Sequence, residues 1–403
     1  MKAVVWHGTG DIRLDEVPDP KILEPTDAIV RITRSAICGT DLHMVRGTLP
    51  DMVEGTILGH EAVGVVEEVG RDVRGLRPGD RVVVPSTIGC GTCSYCRASY
   101  YAQCDNANPN GPAAGTCFFG GPKSTGPIDG LQAEYARVPY AMTGLVRIPD
   151  GVSDDEAILV SDIFPTSWFG AKLAEVGKGD TVLVLGAGVV GQFAVASAKR
   201  LGAGRVLVVD GIASRLDKAR EQNAETIDFN REDPVAVVKE LTGGIGVDRV
   251  IEAVGVDAER PKTGPAAERD EQRLERFEAE RRQAAPEANP DGDQWVPGDA
   301  PSLAFEWAVE SVAKAGTIGV IGVYPPTFNS FPIGAAMNKN LTVQMGNCNH
   351  RRYIPGLLDL VLSGTVVPTA FITRHERPTA AVEAYETFDR REEGWLKTVL
   401  DVA

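Results

Sequence analysis

The sequence predicts an α/β protein in which a doubly wound parallel sheet is joined to a mostly β unit carrying a structural metal lobe. Three observations carry that reading. Beyond about residue 180, short β-branched runs alternate with helical patterns, as parallel strands joined by crossover helices do. Before about residue 150, β-branched segments are separated by Gly, Pro and Asp turns. Within that first region Cys90, Cys93, Cys96 and Cys104 follow one another at gaps of two, two and seven residues.

In chain order, Lys2 to Trp6, Ala28 to Ala36, Ala62 to Val69 and Arg81 to Val84 read as the strands of the first unit. The turn Leu76-Arg77-Pro78-Gly79-Asp80 feeds the last of them. The cysteine lobe, residues 88–106, follows. Each short gap lets neighbouring thiolates turn toward one point, and four sulfurs fill a tetrahedral zinc shell, so this metal is expected to be structural. Two disulfides are the alternative. Met1-Lys2-Ala3-Val4-Val5 runs directly into strand-like sequence with no secretory pattern, so a reducing, cytoplasmic setting and metal-bound thiols are expected.

The parallel sheet is expected from Thr181 to Leu185, Arg205 to Val209, Thr226 to Phe229, Val247 to Ala253, Thr317 to Val323 and Leu341 to Met345. Helical patterns at Gly191 to Leu201 and Ser214 to Asn223 lie between them. Residues 257–300 break the rhythm: the charged run Glu268 to Arg282 suits a solvated helix and reads as an insertion between two sheet strands. The domains are therefore 1–160 plus 347–403 for the β unit and 161–346 for the parallel sheet.

The chain has 403 residues, 43% hydrophobic and 24% charged, enough for two separate cores. A formal charge of -15 argues against nucleic-acid binding, and no apolar run is long enough to span a membrane.

Val182-Leu183-Val184-Leu185 leads into Gly186-Ala187-Gly188-Val189-Val190-Gly191, and a second strand ends in Asp210. The glycines permit the turn, the approach of a pyrophosphate and close helix packing, while the helix N-terminus attracts phosphate. Asp210 is expected to accept from the adenosine ribose and to repel a 2′-phosphate, favouring NAD; Arg215, five residues on, weakens that preference. Two further clusters, Cys38-Gly39-Thr40-Asp41-Leu42-His43 and Gly59-His60-Glu61, hold a thiolate and an imidazole suited to a catalytic zinc. Composition does not identify a third ligand.

Gly59-His60-Glu61-Ala62-Val63-Gly64 with Gly70, the four-cysteine lobe and the nucleotide fingerprint occur in the order found in zinc-dependent medium-chain alcohol dehydrogenases, and the chain resembles that family nearly throughout. The resemblance implies a GroES-like catalytic domain, a Rossmann domain and two zinc ions per chain. It implies that Cys38 and His60 are catalytic ligands and that Asp162 is the third, where many relatives have cysteine. An aspartate there is similar to the glutathione-independent formaldehyde dehydrogenase branch. It further implies that Asp41 orients His60, Glu61 enters the metal shell transiently, Thr40 takes the substrate proton and His43 ends the relay. Thr166 would contact nicotinamide and Lys397 a pyrophosphate.

The expected activity is hydride transfer between an alcohol, or an aldehyde hydrate, and NAD, by a homodimer or homotetramer. If the insertion covers the adenine half of the cofactor, NAD stays bound and the reaction becomes aldehyde dismutation. A non-catalytic NAD- and zinc-binding protein is the alternative from another class, and a zinc-free quinone reductase would need neither the lobe nor the ligands. His350-Arg351-Arg352 reads as the solvated start of a helix; Cys117 and Cys348 read as buried apolar residues; Phe118, Phe119 and Trp168 are candidates to line a pocket.

Overall fold

The structure, a computed structural model, describes residues 1–288 and 294–402. It divides into two compact units. One contains Met1–Pro165, Trp295 and the chain from Asn347 onward; the other contains the chain from Thr166 into the insertion and Val296–Gly346. The first division falls at Pro165/Thr166 rather than at 160/161. The reason is local: Ser161 O accepts from Ser86 N at 3.4 Å, and Asp162 is bonded to His350, which ties this stretch to the first unit.

In the first unit, among the described residues, the main sheet runs in the order Arg374–Glu376, Thr398–Asp401, Ala28–Ile37, Ala62–Val69, Arg81–Val84 and Val146–Arg147, with Tyr135–Val138 also paired to Ala28–Ile37. Lys2–Gly8 and Asp11–Glu16 form a separate antiparallel hairpin. The long central strands are buried over most of their length, with Arg31, Thr33 and Arg34 half-buried and Glu67 and Glu68 exposed, so consecutive residues on both faces are largely covered. Their core includes Val30, Ile32, Val66, Val82, Leu131 and Phe119. Gly64 allows the central pair to close, since a Cβ there would lie 2.2 Å from Arg31 O.

In the second unit six strands, all parallel, stand in the order Glu225–Asp228, Arg205–Asp210, Thr181–Leu185, Val247–Glu252, Val312–Val320 and Thr342–Met345, among the described residues. This is the doubly wound order in which the chain reverses beside its first strand, and a dinucleotide site belongs at that switch point. Strands such as Val182-Leu183-Val184-Leu185 are apolar throughout because helices cover both faces.

The insertion corrects one expectation. Its charged run forms the helices Gly264–Asp270 and Leu274–Ala284, but they are not simply solvated. Phe277 is buried in the core of the second unit beside Leu303 and Trp307, and Ala266, Ala284 and Glu280 are also buried. Arg273 and Arg276 reach the Glu306 carboxylate of the helix Leu303–Ser311. One aromatic ring anchors an otherwise polar helix. Residues 289–293 of the insertion lie outside the described residues. Among the described residues no helix is long and apolar enough to cross a membrane.

Two consequences can be measured. Arg46 and Asp389 form an ion pair at 2.7 Å with both side chains almost wholly buried, and Asp389 also accepts from Trp295 N at 2.7 Å. Replacing Arg46 by Leu leaves a buried carboxylate without its counter-charge, so urea unfolding is expected to reveal a loss of about 3–5 kcal/mol. A Cβ on Gly191 would stand 1.9 Å from Gly186 O, so Gly191→Ala is expected to lower the thermal midpoint by an overpacking cost of about 1–3 kcal/mol or more.

Candidate functional site

Cys38 sits just before the helix Gly39–Val45, and Asp41 in that helix's first turn reaches back, its Oδ2 accepting from Cys38 N at 2.9 Å. The same carboxylate meets His60 Nδ1 through Oδ1 at 2.9 Å. A carboxylate accepts only, so Nδ1 carries a proton, and Nε2 is the ring atom that faces the cluster. Gln132 Nε2 donates to Asp41 Oδ2 at 3.4 Å and to Ala36 O at 3.1 Å, while its Oε1 accepts from Tyr385 OH at 2.8 Å. Nothing local in the sequence marks Gln132 or Tyr385; tertiary packing brings them here.

Cys38, His60, Glu61 and Asp162 offer ligand atoms that all lie within 4.8 Å of one another, and all four residues are buried. Asp162 Oδ2 is 3.8 Å from Cys38 Sγ and 3.6 Å from His60 Nε2. Ordinary zinc bond lengths in a tetrahedron give edges of about 3.6 Å for S···O and about 3.4 Å for N···O, so the spacing fits the ion. Burial pushes the Cys38 thiol up. Burial alone would lower His60 and raise Asp162, yet the carboxylates of Asp41 and Asp162 hold His60 well above the usual histidine range. Hydrogen bonds from His350 and His60 likewise hold Asp162 well below the usual carboxylate range.

Glu61 is fully buried. Its Oε1 accepts from Lys397 Nζ at 2.6 Å, while Oε2 meets no donor among the described residues. Burial raises its carboxyl to about 6 against the pull of Lys397. Lys397 itself is fully buried and divides its Nζ between Glu61 and Ile37 O at 3.0 Å. That corrects the expectation of a pyrophosphate contact: the ammonium is committed to the carboxylate beside His60. Thr40 and His43 lie on one helix three residues apart, Thr40 partly exposed and His43 buried, so His43 is not a surface histidine.

Against the expectation of a solvated helix start, His350 is buried. It opens the helix His350–Leu362 and places Nε2 2.6 Å from Asp162 Oδ1. Phe118 presents its edge to the His60 ring, with centroids 6.3 Å apart, whereas Phe119 is a core residue. Cys117 is buried, which drives its thiol up to about 12, and Cys348 is buried as well. Asp155, His375 and Asp401 also converge, but Arg34 Nε lies 2.9 and 3.0 Å from the two carboxylates, so a guanidinium already offsets part of their charge.

The cysteine lobe is a second convergence. Cys90, Cys93, Cys96 and Cys104 lie within 4.8 Å of one another, and no cysteine is disulfide-bonded among the described residues. Cys93 Sγ and Cys104 Sγ are 3.9 Å apart, close to the edge of about 3.8 Å in a zinc–sulfur tetrahedron. Backbone N–H groups of Thr92 and Cys93 point at Cys90 Sγ at 3.3 Å, and that of Cys96 at Cys93 Sγ at 3.4 Å. Burial opposes ionisation of Cys90, but donors from Thr92, Cys93 and Asn106 bring it down to about 6.

In the second unit Gly186 takes φ +88°, Gly188 precedes the helix Val189–Arg200, and Val190 and Gly191 lie in its first turn. Asp210 is buried at the end of its strand, its Oδ2 accepting from Ala187 N at 2.7 Å and its Oδ1 from Gly211 N and Ile212 N at 2.8 and 2.9 Å. These bonds clamp the glycine turn and use three of the roughly four acceptor sites of a carboxylate. Arg215 Nη1 comes within 4.0 Å of where a Gly188 Cβ would be. Thr166 lies on the helix Ile163–Leu173, partly exposed.

Comparison with known proteins gives two family matches, an alcohol dehydrogenase GroES-like domain over residues 24–150 and a zinc-binding dehydrogenase over residues 189–261. An uncharacterized zinc-type alcohol dehydrogenase-like protein of Bacillus subtilis is 35% identical over 404 residues, covering 99% of this chain and 100% of the relative. A glutathione-independent formaldehyde dehydrogenase of Pseudomonas aeruginosa is 39% identical over 272 residues, covering 64% of this chain and 66% of that protein. The structure of the alcohol dehydrogenase TADH from Thermus sp. ATN1 superposes with a TM-score of 0.80 at 33% identity, covering 100% of both chains. A likeness that runs from one end of the chain to the other is a family relationship: this protein belongs to the zinc-type medium-chain alcohol dehydrogenases.

Proposed function

We propose that this alcohol dehydrogenase-like enzyme transfers hydride between an alcohol, or an aldehyde hydrate, and NAD, with Cys38, His60 and Asp162 as ligands of a catalytic zinc and the four-cysteine lobe holding a structural one. The observation that carries this reading is the convergence of one sulfur, one imidazole nitrogen and one carboxylate oxygen in a buried cluster, together with a separate cluster made of sulfur alone. Three protein donors with an open position are the pattern of a catalytic zinc, and four closed thiolates that of a structural one. When bound, such a zinc supplies Lewis acidity toward a substrate oxygen and the dinucleotide accepts hydride.

The chain's own residues do the rest. Asp41 holds the proton of His60 on Nδ1 and keeps Nε2 a donor. Thr40 Oγ1 accepts the alcohol proton as it gives up its own hydroxyl proton, and His43, one turn along the same helix face, receives the proton released. Lys397 restrains Glu61 at Oε1 while Oε2 stays available to the metal shell. Asp210, at the adenosine end, favours ribose hydroxyls over a 2′-phosphate.

A second reading, aldehyde dismutation with NAD retained through turnover, is favoured by one feature of the second unit. Lys262 N and Thr263 Oγ1 of the insertion donate to Asn230, whose Nδ2 donates to Gly211 O beside Asp210. The insertion is thus tied by one residue to the loop where adenosine would lie. The similarity to a formaldehyde dehydrogenase over part of the chain points the same way. Denatured, freshly purified protein should release about one nicotinamide per chain on this reading; empty sites would leave the freely exchanging dehydrogenase.

Elemental analysis of the purified chain is expected to give two zinc ions, and Asp162→Ala one. The variant should lose several kcal/mol of transition-state stabilisation, about a thousandfold in alcohol-dependent NADH formation. Full activity in a zinc-stripped protein would overturn the reading. Asp210→Ser is expected to narrow the preference for NAD over NADP by about 10–100-fold, the worth of one charge-assisted hydrogen bond, read from kcat/KM with each cofactor.

A further inference from the structure

Asp162 presents its two oxygens to different neighbours. Oδ2 faces Cys38 Sγ and His60 Nε2, whereas Oδ1 lies 2.6 Å from His350 Nε2. A carboxylate oxygen can only accept at that distance, so His350 Nε2 carries a proton and donates it. The other ring nitrogen, Nδ1, lies 3.1 Å from Thr87 Oγ1, and Thr87 Oγ1 is 3.2 Å from Cys348 O. Thr87 Oγ1 donates to Nδ1 of the neutral ring, or accepts from Nδ1 of the imidazolium while its own proton goes to Cys348 O, and in either state it braces the ring. All of these groups are buried: Thr87 is 6% exposed, His350 3% and Asp162 7%. The backbone around them is fixed as well. Asn349 Oδ1 accepts from Ala102 N at 3.0 Å at the start of the histidine's helix, and Ser86 N donates to Ser161 O at 3.4 Å.

We propose that His350, braced by Thr87, is a positioning residue that commits Asp162 to binding the metal through Oδ2 alone. The inference rests on the metal site assigned above to Cys38, His60 and Asp162. Its physical content is steric and electronic. With Oδ1 engaged by an N–H donor, the carboxylate cannot rotate to chelate through both oxygens, so the coordination number stays low and a position remains for substrate. The same donor draws charge from the carboxylate, which makes Asp162 a weaker donor and the ion a stronger Lewis acid. Asp41 acts in the opposite sense on His60, accepting from Nδ1–H and making Nε2 a better donor. One ligand is enriched and another depleted by partners of opposite hydrogen-bonding sense.

The test compares His350→Ala, His350→Gln and Thr87→Val with the parent in the full chain, loaded with zinc and separately with cobalt(II). Zinc affinity at each site is read by competition with a chelating dye, the four-cysteine lobe serving as internal control. His350→Ala is expected to weaken the Asp162 site by about 10–100-fold and leave the lobe unchanged. The visible cobalt bands of a four-coordinate ion should fade as the freed carboxylate raises the coordination number. His350→Gln, whose amide keeps an N–H donor, should recover most of the affinity and the bands, which a role in packing alone would not produce. Thr87→Val should fall between, and it reports on the brace if the alanine variant does not fold. Zinc affinity within about twofold of the parent in His350→Ala, or in Thr87→Val where that variant stands alone, with an unchanged cobalt spectrum, overturns the proposal, as does failure of His350→Gln to rescue. A parent protein that loads only the lobe would instead refute the metal site itself.

Discussion

The carboxylate of Asp41 is the interaction on which the candidate site depends. It accepts from Cys38 N, His60 Nδ1 and Gln132 Nε2, so three segments far apart in the chain meet on two oxygen atoms. One of these bonds caps the start of a helix and thereby fixes the backbone that carries Cys38. Another sets the tautomer and ring orientation of His60. The third runs through Gln132 to Tyr385, a wholly buried residue of the helix Ala381–Asp389. A buried charge satisfied by several N–H donors is tolerable, and removing it would leave those donors without a partner in a low-dielectric interior. Ligand geometry and core packing are therefore one problem at this point.

The surrounding charges make sense only as a set. Cys38, Asp162 and Glu61 are potential anions buried within a few ångströms of one another, and Lys397 answers one of them directly. Burial drives the Cys38 thiol up, His60 opposes that shift, and the Glu61 and Asp162 carboxylates add to it. A divalent ion at the convergence of Cys38, His60 and Asp162 would reverse that rise, since the ion becomes the largest local charge and favours thiolate over thiol. The Glu61–Lys397 pair then stands as a neutral neighbour that holds a further oxygen in reserve.

How much of this could be read from the sequence follows from how local each signal is. The parallel sheet was legible because its strands are apolar runs and its turn chemistry is written in consecutive residues, Gly186 to Gly191 with Asp210 at the next strand end. The lobe was legible for the same reason. Cys38, His60 and Asp41 could be picked out by type, but Asp162 emerged only by resemblance, because nothing beside it in the chain says that it faces His60. His350 was misread as solvated: its partners Asp162 and Thr87 lie 188 and 263 residues away, and Arg351-Arg352 beside it speak for solvent. Phe277 misled in the same manner, a single ring that turns a charged helix into a packed one. Lys397 looked like a basic contact because sequence does not reveal that its nearest charge is Glu61.

The two candidate metal clusters differ in what must precede them. In the lobe, backbone N–H groups a few residues away already point at the sulfurs, so most of the coordination geometry is encoded in one short loop. The cluster of Cys38, His60 and Asp162 draws its atoms from segments joined only through the sheet that pairs Ala28–Ile37 with Ala62–Val69 and through the packing that brings residue 162 beside residue 350. It exists only in the folded first unit. A metal held at the lobe would therefore be coupled mainly to local order, and one held at the mixed cluster to the fold of the whole unit. On the proposed function that coupling would suit a division of labour: a closed site would add stability, and a site assembled by the complete fold would be active only when the fold is complete.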